Sequence, residues 1–138
     1  MKKLIFEEKI YTYHIDFVGH VNNLIYIEWM ENGRVKLLES IGLPVTEIAH
    51  GEGILPVLTE TYIRYKKPFF LQNSVKIEMW VSQLNNASAI MEFRFYNENN
   101  ELCATGNQKG LFVNRNTMKP TRLTDNHRKA FEKYLISD

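Results

Sequence analysis

The sequence predicts an α+β fold in which an antiparallel sheet is covered by one long helix. A single extended helical stripe runs from Asn23 to Ile41, several strand-like segments with turn-forming residues between them follow it directly, and no strand-helix-strand repeat interrupts them. Strands in succession pair as hairpins and meanders, whereas parallel sheets need alternating strand and helix units. The 138 residues form one domain, 1–138, with enough chain to bury a core without staples.

Residues 3–13 are rich in Ile, Phe, Tyr and Thr and read as a strand, although charges fall on both phases. From Asn23, the apolar positions Ile27, Met30, Leu37, Leu38 and Ile41 recur at helical spacings, and Gly42 followed by Pro44 stops the helix. Gly33 inside it costs about 1 kcal/mol relative to alanine, which implies that the backbone there lies close against something broad, a sheet being the candidate. "EIAHGEG", residues 47–53, reads as a loop, and "ILPVLTETYIRYKK" after it as a strand stopped by Pro68.

In "SVKIEMWV", Val75, Ile77, Met79 and Val81 share one face, with Lys76, Glu78, Trp80 and Ser82 on the solvent-exposed other. Asn85-Asn86 turns the chain into "ASAIMEFRFY", where Ala89, Met91, Phe93 and Phe95 share a face, and "NENN" turns it again into "LCATGNQKGLFV". Thr124 caps a short last helix that runs to Tyr134.

Seventeen basic and 16 acidic residues leave almost no net charge, so no global field draws the chain to nucleic acid or to an anionic membrane. The single Cys103 excludes an internal disulfide and a multi-cysteine metal cluster, and suits a reducing compartment. "MKKLIF" begins like a secretion signal, but Glu7, Glu8 and Lys9 cut the apolar run short, and no segment is long enough to span a membrane. The expected location is the cytoplasm.

Polar groups crowd the helix entrance. "HIDFVGHVNN", residues 14–23, brings Asp16, Gly19, His20, Asn22 and Asn23 to a point where one capping side chain would suffice. Together "YHIDFVGHVNNLIY", Tyr13 to Tyr26, with Glu31 and Arg34 one turn apart on the helix, resembles the hotdog-fold acyl-CoA thioesterases. The similarity is to the branch that includes 4-hydroxybenzoyl-CoA thioesterase and the bacterial long-chain acyl-CoA thioesterases. Weaker echoes, "YIRYKKP" and "GLFVNRNTMKP", extend it over nearly the whole chain.

The resemblance implies a curled antiparallel sheet wrapped around one long central helix, and hydrolysis of an acyl thioester to a carboxylic acid and coenzyme A without a cofactor. It places the chemistry on Asp16, as nucleophile or general base, with Asn23 and His20. Gly19, Val21, Asn22 and Tyr26 would contact substrate. The substrate would be an acyl-CoA or acyl-carrier-protein thioester, and the family implies a homodimer or homotetramer with sites at the interface. Pairing also suits a lone helix that cannot cover every sheet edge.

Elementary chemistry supports that assignment. A helix N-terminus carries unpaired N–H groups and partial positive charge, so the backbone at Asn23 can hold a developing oxyanion. The leaving thiol, with cysteine as guide, has a pKa of about 8.5 and needs no dedicated acid. Arg64, Lys66 and Lys67 are one candidate set for the coenzyme phosphates, and Arg115, Lys119 and Arg122 another. The apolar tail would lie between helix and sheet or along a subunit boundary.

Structural readings stand beside these. Asp16 and Gly19 suit a simple turn, His20 a structural hydrogen bond, Asn22 or Asn23 an N-cap, Glu31 and Arg34 an ion pair, and Tyr26 packing. His14, Asp16 and His20 would bind a metal only if the turn aimed all three at one centre. There is no G-x-S-x-G motif, Cys103 has no histidine near it in sequence, and "HGEG", residues 50–53, is too short for a phosphate loop and reads as a mobile one. A hydratase or dehydratase acting on acyl thioesters, or a non-catalytic acyl-thioester binding protein, are the alternatives.

Overall fold

The computed structural model describes residues 2–50 and 53–137. Five strands, β1 (Leu4–Lys9), β2 (Ile54–Tyr65), β3 (Ser74–Leu84), β4 (Ser88–Tyr96) and β5 (Leu102–Asn114), form one antiparallel sheet in the order β1-β3-β4-β5-β2. Helix α1 (Asn23–Ser40) lies across its inner face, and a short α3 (Asp125–Glu132) follows the sheet. The predicted arrangement of curled sheet, long helix and short terminal helix is the one observed.

The alternation in β3 and β4 becomes the core. Val75, Ile77, Met79 and Val81 are buried, as are Ala89, Met91, Phe93 and Phe95 on the neighbouring strand. Against them α1 sets Tyr26, Trp29, Met30, Gly33 and Leu37. A Cβ on Gly33 would stand 2.8 Å from Met79 Sδ and 3.1 Å from ring carbons of Phe6 and Phe93, so the helix backbone rests on the sheet as its glycine implied. The stripe is rotated from the predicted one: Tyr26 and Trp29 join the core and Ile27 does not. Aromatic residues, omitted from the aliphatic count, set the phase.

Other boundaries move for local reasons. The first strand ends at Lys9, and Thr12–His14 forms a single turn of 3-10 helix. Residues 45–50, partly read as loop, form the short helix α2 (Val45–His50), because the Pro44 carbonyl accepts the amides of Glu47 and Ile48 and starts a new helical turn. Residues 51 and 52 of "HGEG" lie outside the described residues. Trp80 is half-buried rather than exposed, since Lys3 Nζ and the Arg94 guanidinium lie 4.7 and 5.2 Å from the centre of its ring. Thr124 caps α3 by accepting the His127 amide.

Candidate active site

Ile15 and Val21 form an isolated antiparallel bridge, so residues 16–20 close a tight loop at the mouth of α1. The Asp16 amide donates to the His20 carbonyl at 2.8 Å and the Gly19 amide to the Asp16 carbonyl at 3.1 Å. Gly19 has φ +85°, a conformation that strains any residue with a side chain. The Asp16 carboxylate turns back into this loop, and Oδ1 accepts the amides of Val18 at 3.0 Å and His20 at 3.2 Å. Both bonds fall on one oxygen, and Oδ2 has no partner among the described residues. Asp16 is thus held in place by backbone donors on one oxygen alone. It is the His20 amide that orients it; the imidazole stands edge-on to Phe70 at 5.2 Å.

The start of α1 is anchored from both sides. The Val21 amide donates to the Phe69 carbonyl at 2.9 Å and the Asn22 amide to the His14 carbonyl at 2.8 Å. Asn22 is the N-cap, its side-chain oxygen accepting the Leu24 amide at 2.9 Å, and the Ile25 amide reaches the Asn22 carbonyl at 2.9 Å. The Asn23 amide is therefore left without an acceptor among the described residues. Its carbonyl accepts the Tyr65 hydroxyl at 2.9 Å, tying the helix start to the end of β2.

Asp16, His20, Val21, Asn23, Tyr26, Lys66 and Lys67 line one open pocket of about 210 Å³ together with Tyr65 and Pro68. Of the other expected site residues, Asn22 caps the helix and Gly19 turns the loop, and neither lines the pocket. Arg64 does not line it either: paired with Thr105, it alternates with Ile63 and Tyr65 on β2 and so points to the other face. Lys67 pairs with Glu101, and that hydrogen bond raises the ammonium pKa and lowers the carboxyl. Lys66 makes no side-chain hydrogen bond or ion pair with the described residues. In the alternative cationic set, Arg115 donates to the Ile48 carbonyl and Arg122 to Asn86, away from this pocket.

Tyr26 both lines the pocket and packs in the core, and the metal and thiol readings meet geometric obstacles. Tyr26 is buried among Trp29, Tyr65, Phe69 and Phe95, and desolvation pushes its hydroxyl pKa far above the ordinary value, so it keeps its proton. His14 is buried against Trp29 and its Nδ1 accepts the Tyr11 amide at 3.0 Å; no group of three His, Cys, Asp or Glu among the described residues is placed to hold a metal. Cys103 is fully buried, its thiol reaches the Glu101 carbonyl at 3.4 Å, and burial raises its pKa, the opposite of nucleophile activation.

A second cavity, of about 200 Å³, lies between α1, β2 and the inner faces of β4 and β5. Glu31 and Arg34 flank it, 3.8 Å apart as the three-residue spacing predicts. Arg34 Nη1 also donates to Oε1 of the fully buried Gln108 at 2.6 Å, and Gln108 Nε2 donates to Thr61 Oγ1 at 3.1 Å. Burial lowers the Arg34 pKa. Tyr65 and Gln108 were missed in the sequence. The available signal was parity: Tyr65 shares the face of Ile63, and Gln108 stands on the inward phase of β5 between Gly106 and Phe112, where packing alone calls for an apolar residue.

The family model of the thioesterase-like superfamily matches residues 11–131. A putative acyl-CoA thioesterase of Bacillus subtilis is 27% identical over 116 residues, 84% of this chain and 80% of its own length. A long-chain acyl-CoA thioesterase of Escherichia coli is 34% identical over 83 residues, 60% of this chain and 61% of its own. Among solved structures, a DHNA-CoA thioesterase from Staphylococcus aureus superposes with a TM-score of 0.86 at 25% identity, covering 96% of this chain and 91% of that one.

Proposed function

The chain belongs to the thioesterase-like superfamily, and from that premise we propose that it hydrolyses acyl-CoA thioesters to a free acid and coenzyme A at the Asp16 pocket. One observation carries the reading. Asp16, whose carboxylate has one oxygen without a partner among the described residues, and Asn23, whose helix-terminal amide has no acceptor among them, line the same pocket. The relatives named as acyl-CoA thioesterases support it.

In this reading the Asn23 amide binds the thioester carbonyl oxygen and stabilises the negative charge that develops there. Asp16 attacks the carbonyl carbon, giving an acyl-carboxylate anhydride that water then cleaves, or takes a proton from the water that attacks. Either way the C–S bond breaks, coenzyme A leaves as a thiolate, and one water is consumed in releasing the acid and regenerating the Asp16 carboxylate. Lys66, which has no side-chain partner among the described residues, and Lys67 offer charge to the coenzyme phosphates. The acyl tail lies in the cavity between α1 and the sheet of the partner protomer, which pairing of the two β2 edges brings beside this pocket.

Incubation with a panel of acyl-CoAs and a thiol-detecting dye tests the reaction. Release of thiol is expected; a changed acyl chain without free thiol would indicate a hydratase or dehydratase, and binding alone a carrier. The lone thiol of Cys103 fits a reducing compartment, and the cytoplasm is the proposed location.

The working unit in this reading is a homodimer, or a tetramer of two such dimers. Strand β2 is 12 residues long and bonded on one side only, whereas the opposite edge, β1, has 6 residues. Phe17 is 99% exposed beside Asp16, and Leu24, Leu58 and Tyr62 also expose apolar surface. Antiparallel pairing of two β2 edges centred near Thr61 would set the Tyr65 end of one strand beside the Val57 end of the other. The Asp16 pocket of one protomer would then adjoin the α1–β2 cavity of its partner. Sedimentation at micromolar concentration is expected to give a dimer or tetramer, and a monodisperse monomer would contradict the arrangement.

A further inference from the structure

We propose that the cavity between α1 and the sheet limits the acyl group to about eight carbons, as a short chain or a single ring, with Gly110 setting its width. The inference rests on the acyl-thioester reading and adds the size class of the substrate.

The volume sets the scale. The cavity holds about 200 Å³, against about 150 Å³ for an apolar protein cavity that takes up benzene, and scaling six carbons by that ratio gives about eight. Its polarity is graded in the sense a thioester requires. Glu31 and Arg34 stand toward the N-terminal end of the α1 segment that lines it and Leu38 toward the C-terminal end, with Phe112 and Phe131 adding to the apolar lining. Glu31 and Leu38 are separated by about 10 Å along the helix axis at the usual rise per residue. The carbonyl end of an acyl group suits the first and its tail the second. Phe131, buried and 5.6 Å ring to ring from Phe112, lines the cavity from α3.

Gly110 is distinguished by comparison with Gly106 on the same strand. At Gly106 a Cβ would stand 2.9 Å from both Met30 Cε and the Tyr62 carbonyl oxygen, so packing excludes a side chain there. At Gly110 it would meet only Met91 Cε at 3.7 Å and the Val57 carbonyl oxygen at 4.0 Å, ordinary contacts, and no unusual φ requires glycine. Glycine inside a strand weakens it. What the missing side chain leaves at this position is cavity. Its neighbours in register, Ala89 on β4 and Leu58 on β2, line the same space.

Equilibrium binding of saturated acyl-CoAs from C4 to C16 tests this, using Asp16→Asn as a background that does not consume its ligand. Affinity is expected to rise about fourfold per methylene up to about C8 and then to level off, with benzoyl-CoA on the rising limb. Adding Gly110→Val should end the rise about three carbons earlier, one for each carbon added, with C4 affinity within about twofold. Gly110→Ala, the milder change, should end it about one carbon earlier. A rise that continues to C16, or a plateau that neither substitution moves, overturns the size limit even if the wild type hydrolyses thioesters. A plateau that moves as expected upholds the limit even if the wild type releases no thiol, an outcome that would sink the hydrolase reading instead.

Discussion

Asn23→Pro is expected to fold, to bind acyl-CoA with little change, and to lose about 10² to 10³ in kcat, the scale for removing one oxyanion donor. The substitution is unusually clean at this position. Proline is favoured in the first turn of a helix, where its missing N–H would be unpaired anyway. The residue before it must be extended, and Asn22 already has φ −58° and ψ 137°. The bond from Tyr65 goes to the Asn23 carbonyl and the cap bond of Asn22 goes to the Leu24 amide, so both survive. What disappears is an amide that has no acceptor among the described residues, together with an exposed side chain that Asn23→Ala controls for. Leu24→Pro, one residue along, is different: its amide is engaged by the cap, and the expected damage is to melting temperature. Unimpaired turnover in folded Asn23→Pro would remove the helix start from the mechanism.

Much of the site was legible because it is local. Asp16, His20, Val21, Asn23 and Tyr26 lie within a single loop and helical turn, and a loop that short brings them to one pocket. Tyr65 arrives from the end of β2, far along the chain, and sequence proximity pointed to the more conspicuous charge of Arg64. Periodicity reports which face a strand residue occupies, not which strand lies beside it. The faces of β3 and β4 were therefore readable, while the path of β2 to the far edge beside β5 was not. Gln108 was hidden for a related reason: its role follows from Arg34 and Thr61, which α1 and β2 carry to it. Gly33 was the exception, a long-range contact announced by a residue that a helix alone would not choose.

The second large effect concerns the carboxylate, on which the whole account depends. Asp16 has a structural role as well as the proposed chemical one, since Oδ1 holds the amides of Val18 and His20. Asparagine keeps an oxygen that can accept both bonds, so Asp16→Asn preserves the loop. Its neutral amide cannot attack a thioester effectively or take a proton from water. Alanine would remove both roles together and could not tell them apart. The most direct measurement is kcat for thiol release from the best acyl-CoA by Asp16→Asn, on protein whose melting temperature, oligomeric state and acyl-CoA affinity match the wild type. A loss of about a hundredfold or more is the expected result. Turnover within a few-fold of wild type, in protein so verified, would contradict the assignment and leave Asp16 as a turn residue.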